Sequence, residues 1–150
     1  MTVQARYRAA TNSDLVRIKD FLRENGLPEL GVDQWVKGFV IAEDQDGSWA
    51  GIAGLETYGQ SGLLRSVAVD KRLRGRGIGG ELVESVVANA RAHGTRTLYL
   101  LTENASVYFQ KLGFQIVDRD NIDEAVKASV ECTQICKSAT AMRRSLNHGA

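Results

Sequence analysis

The sequence has few of the residues that mark several classes of protein. Its 150 residues include two cysteines, two histidines and one proline, and the formal net charge is +1. No apolar run approaches the roughly 20 residues that a membrane-spanning helix needs. A charge near zero provides no broad field for nucleic acid or anionic lipid. Two thiols behind the start MTVQARYRAATNSDL, which lacks a signal-peptide pattern, indicate a reducing compartment. We therefore expect a single cytoplasmic domain, 1–150, with no nucleic-acid or membrane partner.

The few cysteines and histidines do not indicate a metal centre. Cys132 and Cys136 are four residues apart without a third thiol, so we interpret them as ordinary half-buried side chains rather than arsenic ligands. His93 precedes a glycine that ends a predicted helix, and His148 lies in the tail. Neither histidine has the setting of a catalytic group.

What is present is a series of strand patterns followed by an alternation of helices and strands. Strands are predicted at 3–9, 38–43, 49–58, 63–69, 97–102, 114–117 and 139–146. A first helix is predicted to follow the N-cap candidates at 11–14 and to end at about residue 25. A second helix is predicted over 82–90, with Gly94 beyond its end, and two shorter helices at 105–112 and 122–130. Strands grouped first and then alternating with helices predict an α/β sandwich of mixed topology.

The most informative stretch is RLRGRGIGG, residues 72–80, between a buried strand and an amphipathic helix. Glycines let the backbone approach a ligand, and the following helix adds unpaired amides and the positive end of its dipole. A phosphate or pyrophosphate is the ligand that such a loop suits, and Arg72, Arg74 and Arg76 can supply positive charge to bind it. The alternatives are a solvated glycine turn and a dinucleotide turn, whose G-x-G-x-x-G pattern is formally present. The dinucleotide turn should follow its strand at once, whereas residues 70–74 intervene, and no Gly-Lys-Ser/Thr of a Walker loop follows.

The run RGRGIG, residues 74–79, resembles the R-x-x-G-x-G/A signature of GNAT-superfamily N-acetyltransferases. The resemblance extends to VAVD before the loop and to Gly113-Phe114 after it. It implies an α/β GNAT fold, with a mixed and mostly antiparallel sheet, helices on both faces and a splay between strands 4 and 5. It also implies acetyl-CoA as the cofactor, its pyrophosphate on the loop amides and its pantetheine arm on the fourth strand. The implied cofactor contacts are Val67, Val69, Arg74, Gly75, Arg76, Gly77, Gly79, Gly80, Asn104 and Phe109.

A closer resemblance lies in the runs GLETYGQSGLLRSVAV, LYLLTENASVYFQKLGF and ECTQICKSATAMRR. They resemble N-acetyltransferases associated with arsenic resistance, a subgroup similar to the acetyltransferase domain of N-acetylglutamate synthases. Lys137 departs from the proline expected there. The resemblance implies a small amine substrate, either glutamate or a glutamate-like organoarsenical or phosphinic compound, and a homodimer, since relatives often dimerise. A protein or peptide acetyltransferase and a catalytically silent CoA-binding module stay open as alternatives.

Acetyl transfer to an amine needs a base, because an α-ammonium with a pKa of about 8 is not a nucleophile. Glu56, near the end of the third strand, is the first candidate for the base, with a solvated strand-end glutamate as the alternative and Glu103 as a weaker candidate. Arg65 interrupts an apolar strand, and alternation places it on the face of Val67 and Val69. It either binds a substrate carboxylate or pairs with Glu56, and a paired Glu56 would be a poor base.

The stretch VYFQKLGF, residues 107–114, bears on the departing thiolate. In many GNAT enzymes a tyrosine four residues before the glycine of Gly-Phe protonates that thiolate, but Phe109 occupies the position here. Tyr108 points about 100° away on the same helix. N-acetylglutamate synthases also tend to carry phenylalanine, so the thiolate is expected to leave unassisted beside Phe109. Tyr108 remains a candidate catalytic residue facing the acceptor or the core.

Overall fold

The computed structural model describes residues 4–129, 132 and 138–146. Within these residues the strands are β1 (Arg6–Ala9), β2 (Val40–Glu43), β3 (Trp49–Tyr58), β4 (Ser61–Val69), β5 (Thr97–Thr102), β6 (Gln115–Val117) and β7 (Thr140–Ser145). The helices are α1 (Leu15–Glu24), α2 (Val32–Trp35), α3 (Ile78–Ala92), α4 (Ser106–Lys111) and α5 (Glu124–Lys127). The strands form one sheet in the order β1-β2-β3-β4-β5-β7-β6, in which β4 and β5 run parallel and the other neighbours antiparallel.

Helices cover both faces of this sheet. The apolar stripe of α3 recurs at helical spacing and packs against buried side chains of β2 to β5. On the opposite face, Ile18 and Leu22 of α1 pack with Ile41 of β2 and Ile52 of β3. The mixed α/β sandwich predicted from the sequence is confirmed.

The sheet opens between its two parallel strands. Pairing of β4 with β5 runs from Ser61 opposite Thr97 to Leu64 opposite Leu100 and then ends. Both strands continue beyond this point, β4 to Val69 and β5 to Thr102. The predicted splay between the fourth and fifth strands is therefore present, and it leaves one edge of β4 unpaired in the middle of the sheet.

A β-bulge lies at the start of the splayed part of β4. Ile52 of β3 pairs with Ala68 and Gly54 pairs with Arg65, so β4 has two residues where β3 has one. Ser66 accommodates the extra residue with a φ of 60°, a left-handed conformation that is uncommon for a non-glycine residue.

The bulge reverses the alternation of side chains along β4. Arg65 lies on the face of the segment that joins α1 to α2, where its guanidinium donates to the carbonyl of Leu30. Val67 and Val69 pack instead against the core that contains α3. The prediction that Arg65 shares a face with these two valines is wrong, because it assumed an uninterrupted strand.

Other differences concern element bounds. The first strand is predicted at 3–9 but spans Arg6–Ala9, and position 3 lies outside the described residues. The helix predicted at 122–130 is reduced to Glu124–Lys127, and position 130 is likewise outside them. The short helix Val32–Trp35 was not predicted. Among the described residues no helix is long and apolar enough to cross a membrane.

An ion pair at the start of α1 gives the fold an acid-sensitive element. Arg8 donates to both carboxylate oxygens of Asp14 at 2.9 and 3.0 Å, and these bonds lower the pKa of Asp14 to about 2. The Arg8 side chain is 38% exposed, so solvent screening reduces the value of the pair to about 1 kcal/mol. The folded pKa lies below the unfolded one, so this stabilisation is present above about pH 4 and is lost as the pH falls towards 2.

We expect Asp14→Asn to lower the free energy of unfolding at neutral pH by about 1 kcal/mol. The difference from the native protein should shrink as the pH is lowered through this range, as measured by urea unfolding at several pH values. Asp20→Asn, which removes an exposed partner of Arg23 at 3.1 Å, is the control and should change stability little. A deficit of Asp14→Asn that persists at the lowest pH would contradict the expectation.

Candidate cofactor and acceptor cleft

A cleft of about 1060 Å³ follows the opening in the sheet. Its walls are residues 64–69 of β4, residues 100–105 at the end of β5, the glycine loop with the first turn of α3, and α4. Residues 25–28, after α1, line its other end. The cleft therefore joins the predicted phosphate site to the unpaired edge of β4.

The backbone of β4 turns hydrogen-bonding groups towards this cleft. Asp70 donates its amide to the carbonyl of Ala50 at 2.8 Å, next to the pair formed by Gly51 and Val69. In an antiparallel ladder the N–H and C=O of Val69 then point away from β3, towards the gap beside β5. The guanidinium Nε of Arg74 donates to this Val69 carbonyl at 3.1 Å.

The glycine loop has the conformation that an anion site requires. Gly75 and Gly77 have φ values of 81° and 82°, in the left-handed region that side chains disfavour. Gly77 caps α3, whose first intrahelical bond runs from the amide of Glu81 to the carbonyl of Gly77 at 3.1 Å. The amides of residues 78–80 precede that bond and have no intrahelical partner. They lie at the positive end of a helix of 15 residues.

The arginines of the loop differ in their surroundings. Arg72 pairs with Asp70 at 2.9 Å, and Arg74 lines the cleft beside Val69. Arg76 is exposed and is not among the residues that line the cleft, whereas its predicted neighbours Gly75 and Gly77 are.

The two adjacent aromatic rings of α4 both line the cleft but differ in burial. Phe109 is 8% exposed and packs edge-on against Phe114, with ring centroids 5.9 Å apart. Tyr108 is 41% exposed, and its hydroxyl lies against Gly79 in the first turn of α3. Partial burial raises the pKa of the Tyr108 phenol.

Glu56 and Arg65 form a buried ion pair, one of the two alternatives left open by the sequence. Arg65 Nη1 donates to Glu56 Oε2 at 2.9 Å, and the residues are 3% and 1% exposed. Arg65 also donates from Nη2 to the Leu30 carbonyl at 2.9 Å and from Nε to Ser66 Oγ at 3.0 Å. The Tyr58 hydroxyl donates to Glu56 Oε1. Arg65 lines the cleft, whereas Glu56 lies behind it.

The end of β5 brings further polar groups to the cleft. Glu103 and Asn104 are exposed and line it, and Thr102 Oγ1 accepts from the amide of Ala105 at 3.0 Å. Sequence reasoning missed Lys111 and the segment 25–28, which also line it. The sequence signal there, Gly26 and Pro28, indicated only the end of a helix.

The cysteines do not contribute to the cleft as far as the structure describes them. Cys132 is buried, with its sulfur 3.9 Å from Nη1 of Arg119, and Cys136 lies outside the described residues. No cluster of His, Cys, Asp and Glu among the described residues could hold a metal ion.

Comparison with protein families identifies the family to which this fold belongs. Residues 35–116, more than half of the chain, match the model of the acetyltransferase (GNAT) domain. The chain belongs to the GNAT acetyltransferase family. This confirms the predicted GNAT family, the fold and the assignment as an acetyltransferase. Acetyl-CoA, which the resemblance to this family implied, is the cofactor of the family, and related solved structures contain coenzyme A.

Curated relatives are similar over parts of their length. An amino-acid acetyltransferase of Neisseria meningitidis is 27% identical over 128 residues, covering 78% of this chain and 29% of that protein. The enzyme of the same name from Azotobacter vinelandii is 33% identical over 119 residues, covering 72% and 27%. Mouse N-alpha-acetyltransferase 80 is 43% identical over 54 residues, covering 36% and 17%. This GNAT chain thus spans less than a third of the length of these relatives.

Solved structures share the fold. N-acetylglutamate synthase from Neisseria gonorrhoeae, complexed with coenzyme A and N-acetyl-glutamate, superimposes with a TM-score of 0.82 at 23% identity, over 98% of this chain and 36% of that one. Rv2747 from Mycobacterium tuberculosis, in complex with CoA and NLQ, superimposes with a TM-score of 0.80 at 21% identity, over 95% and 99%.

Proposed function

We propose that this protein transfers the acetyl group of acetyl-CoA directly to the amino group of a small amino-acid-like acceptor. The main observation in support is that the unpaired edge of β4 and the free amides of α3 line one continuous cleft. A ligand with an anionic diphosphate and an extended amide-containing arm matches those two surfaces. The two solved neighbours described above both contain CoA, which supports this cofactor.

In this arrangement the diphosphate lies on the amides of Gly77 to Gly80, and the pantetheine amides pair with the β4 edge at Val67 and Val69. Phe109 lines the arm, and Arg74 and Asn104 lie where they can contact the cofactor. The acceptor enters from the side of residues 25–28. The opening in the sheet thus lets the amine meet the thioester between β4 and β5.

The transfer forms an N–C bond as the amine attacks the thioester carbonyl, and breaks the C–S bond as the tetrahedral intermediate collapses. A β4 amide in the splay is the candidate donor to the developing oxyanion. The CoA thiolate, with a thiol pKa of about 8.5, can leave without a dedicated proton donor. The acceptor ammonium must first lose a proton to a base.

Two carboxylates are candidates for the base. Glu56 can reach the cleft only if its bonds to Arg65 and Tyr58 break, whereas Glu103 already lines the cleft.

We therefore expect Glu103→Gln to lower kcat/KM about tenfold near neutral pH. The loss should diminish at alkaline pH, where the amine is already deprotonated. Glu56→Gln should lower the free energy of unfolding and leave kcat/KM unchanged. A kinetic loss found with Glu56→Gln at unchanged stability would instead assign the base to Glu56.

We propose glutamate, or a glutamate-like organoarsenical or phosphinic compound, as the acceptor. The resemblance to arsenic-resistance acetyltransferases and the similarity to amino-acid acetyltransferases support it. Arg65 is the candidate anchor for a substrate carboxylate, and in that role it would have to exchange Glu56 for the substrate.

N-acetylation of a protein or peptide is the second candidate, favoured by the similarity to mouse N-alpha-acetyltransferase 80. Incubation with acetyl-CoA and a panel of amino acids, glutamate analogues and peptides, followed by thiol release, separates the candidates. We expect release with glutamate-like amines. Release with peptides alone would favour the second candidate, and CoA binding without release would indicate a silent module.

A further inference from the structure

We propose that the Tyr108 hydroxyl is a cofactor-binding group that hydrogen-bonds a diphosphate oxygen of CoA, and is not the proton donor to the departing thiolate. This assignment rests on the proposed function, because it takes CoA as the cofactor. It concerns the ring that the sequence left as a candidate catalytic residue.

The position of the hydroxyl carries the proposal. A Cβ placed on Gly79 would overlap the Tyr108 hydroxyl oxygen and would lie 3.5 Å from its Cζ and 3.6 Å from Cγ2 of Val69. The phenol therefore reaches from α4 across the cleft to the first turn of α3, where the free amides lie. Val67, nearer the bulge and the acceptor side, is two residues or about 7 Å further along β4. The hydroxyl thus lies at the diphosphate end of the cleft.

The glycine at position 79 agrees with this placement. Gly79 is inside α3 and does not have a positive φ, so its backbone conformation does not require glycine. Glycine in a helix costs about 1 kcal/mol relative to alanine. The space that a Cβ would take is occupied by the Tyr108 hydroxyl, which gives a reason for glycine at this position.

The Tyr108 hydroxyl can also donate a hydrogen bond to a ligand. Among the described residues it forms no hydrogen bond, although it is only partly exposed. Burial raises the pKa of the phenol, so the group is protonated and acts as a donor throughout the neutral and mildly alkaline range. A neutral O–H donor beside free helix amides suits an anionic oxygen that already accepts from those amides.

The test compares Tyr108→Phe with the native protein for two ligands, CoA and pantetheine, which lacks the diphosphate. We expect the Kd for CoA to rise about tenfold, as for a hydrogen bond to a charged group, and the Kd for pantetheine to stay unchanged in calorimetry. In kinetics the loss should appear in the KM for acetyl-CoA, and the alkaline limb of the pH profile should keep its position.

Equal losses for CoA and pantetheine would overturn the assignment in favour of packing. An unchanged Kd with a lower kcat and a displaced alkaline limb would restore Tyr108 as the proton donor. A native protein that binds neither ligand would overturn the proposed function itself. Binding of both ligands with no effect of Tyr108→Phe would overturn this assignment alone.

A double-mutant cycle gives a second measurement. Gly79→Ala should displace the hydroxyl and raise the Kd for CoA in the native background. In the Tyr108→Phe background the same alanine meets Cζ of the ring and Cγ2 of Val69 at ordinary contact distances, so it should add little. Additive effects of the two substitutions would contradict a shared site.

Discussion

Replacing Arg65 by methionine is expected to lower the free energy of unfolding by about 3–5 kcal/mol. The guanidinium is bonded to Glu56, and both side chains are essentially without solvent contact, at 0% and 1% exposure. Its removal leaves the Glu56 carboxylate buried, with the Tyr58 hydroxyl as its partner among the described residues. Domains of this kind have about 5–15 kcal/mol of stability in total, so the loss is a large part of it. Urea unfolding without cofactor measures the change.

The chain contains a matched control for this prediction. Arg72 and Asp70 also form an arginine–carboxylate bond of 2.9 Å, but the Arg72 side chain is 81% exposed. Arg72→Met should change the free energy of unfolding little, because an ion pair exposed to water contributes little to stability. A double variant, Glu56→Leu with Arg65→Met, should recover most of the loss, because it removes both buried charges. Equal effects of the two arginine substitutions would show that burial does not determine how much an ion pair contributes to the free energy of unfolding.

Enzyme kinetics of an Arg65 variant separate the structural role of Arg65 from binding of a substrate carboxylate. If Arg65 anchors the acceptor, a variant that stays folded should raise the KM for a carboxylated amine by about one to two orders of magnitude. An unchanged KM at reduced stability would leave Arg65 with a structural role. The assay must therefore be run at a temperature where the variant is fully folded.

Much of the fold could be predicted because its signals are local. The strands at 49–58 and 97–102 have the predicted bounds, and the long apolar stripe of α3 was recognised from its spacing. The glycine loop could be recognised as a candidate anion site from its own residues, and the splay was implied by the resemblance of this loop to a known signature. These features depend on residues that are close in sequence.

What could not be predicted depends on backbone geometry and tertiary packing. Ser66 adopts a positive φ that serine gives no reason to expect, and this one bulge puts Val67 on the face of β4 opposite to that of Arg65 and Glu56. The helix Val32–Trp35 is too short to show a period and exists because Val32 is buried against the core. The position of the Tyr108 hydroxyl over Gly79 likewise required the packing of α4 against α3.

Replacing Gly77 by valine is expected to weaken CoA binding about 100-fold, the largest functional effect that the structure predicts for the loop. Gly77 has a φ of 82° at the cap of α3, where a β-branched side chain is strongly disfavoured. Relief of that strain rotates the peptide units that present the free amides to the cleft. Loss of two or three charge-assisted bonds to a diphosphate accounts for the expected change.

Gly47→Val is the matched control for this loop substitution. Gly47 has a φ of 83° in the turn between β2 and β3, a Cβ there would also meet no atom within 4 Å, and the residue does not line the cleft. Both variants should lose a similar free energy of unfolding, about 1–3 kcal/mol, because both force a side chain into the left-handed region. Only Gly77→Val should lose affinity for CoA in calorimetry. If the two variants bound CoA equally well, the amides of this helix terminus would not be the diphosphate site.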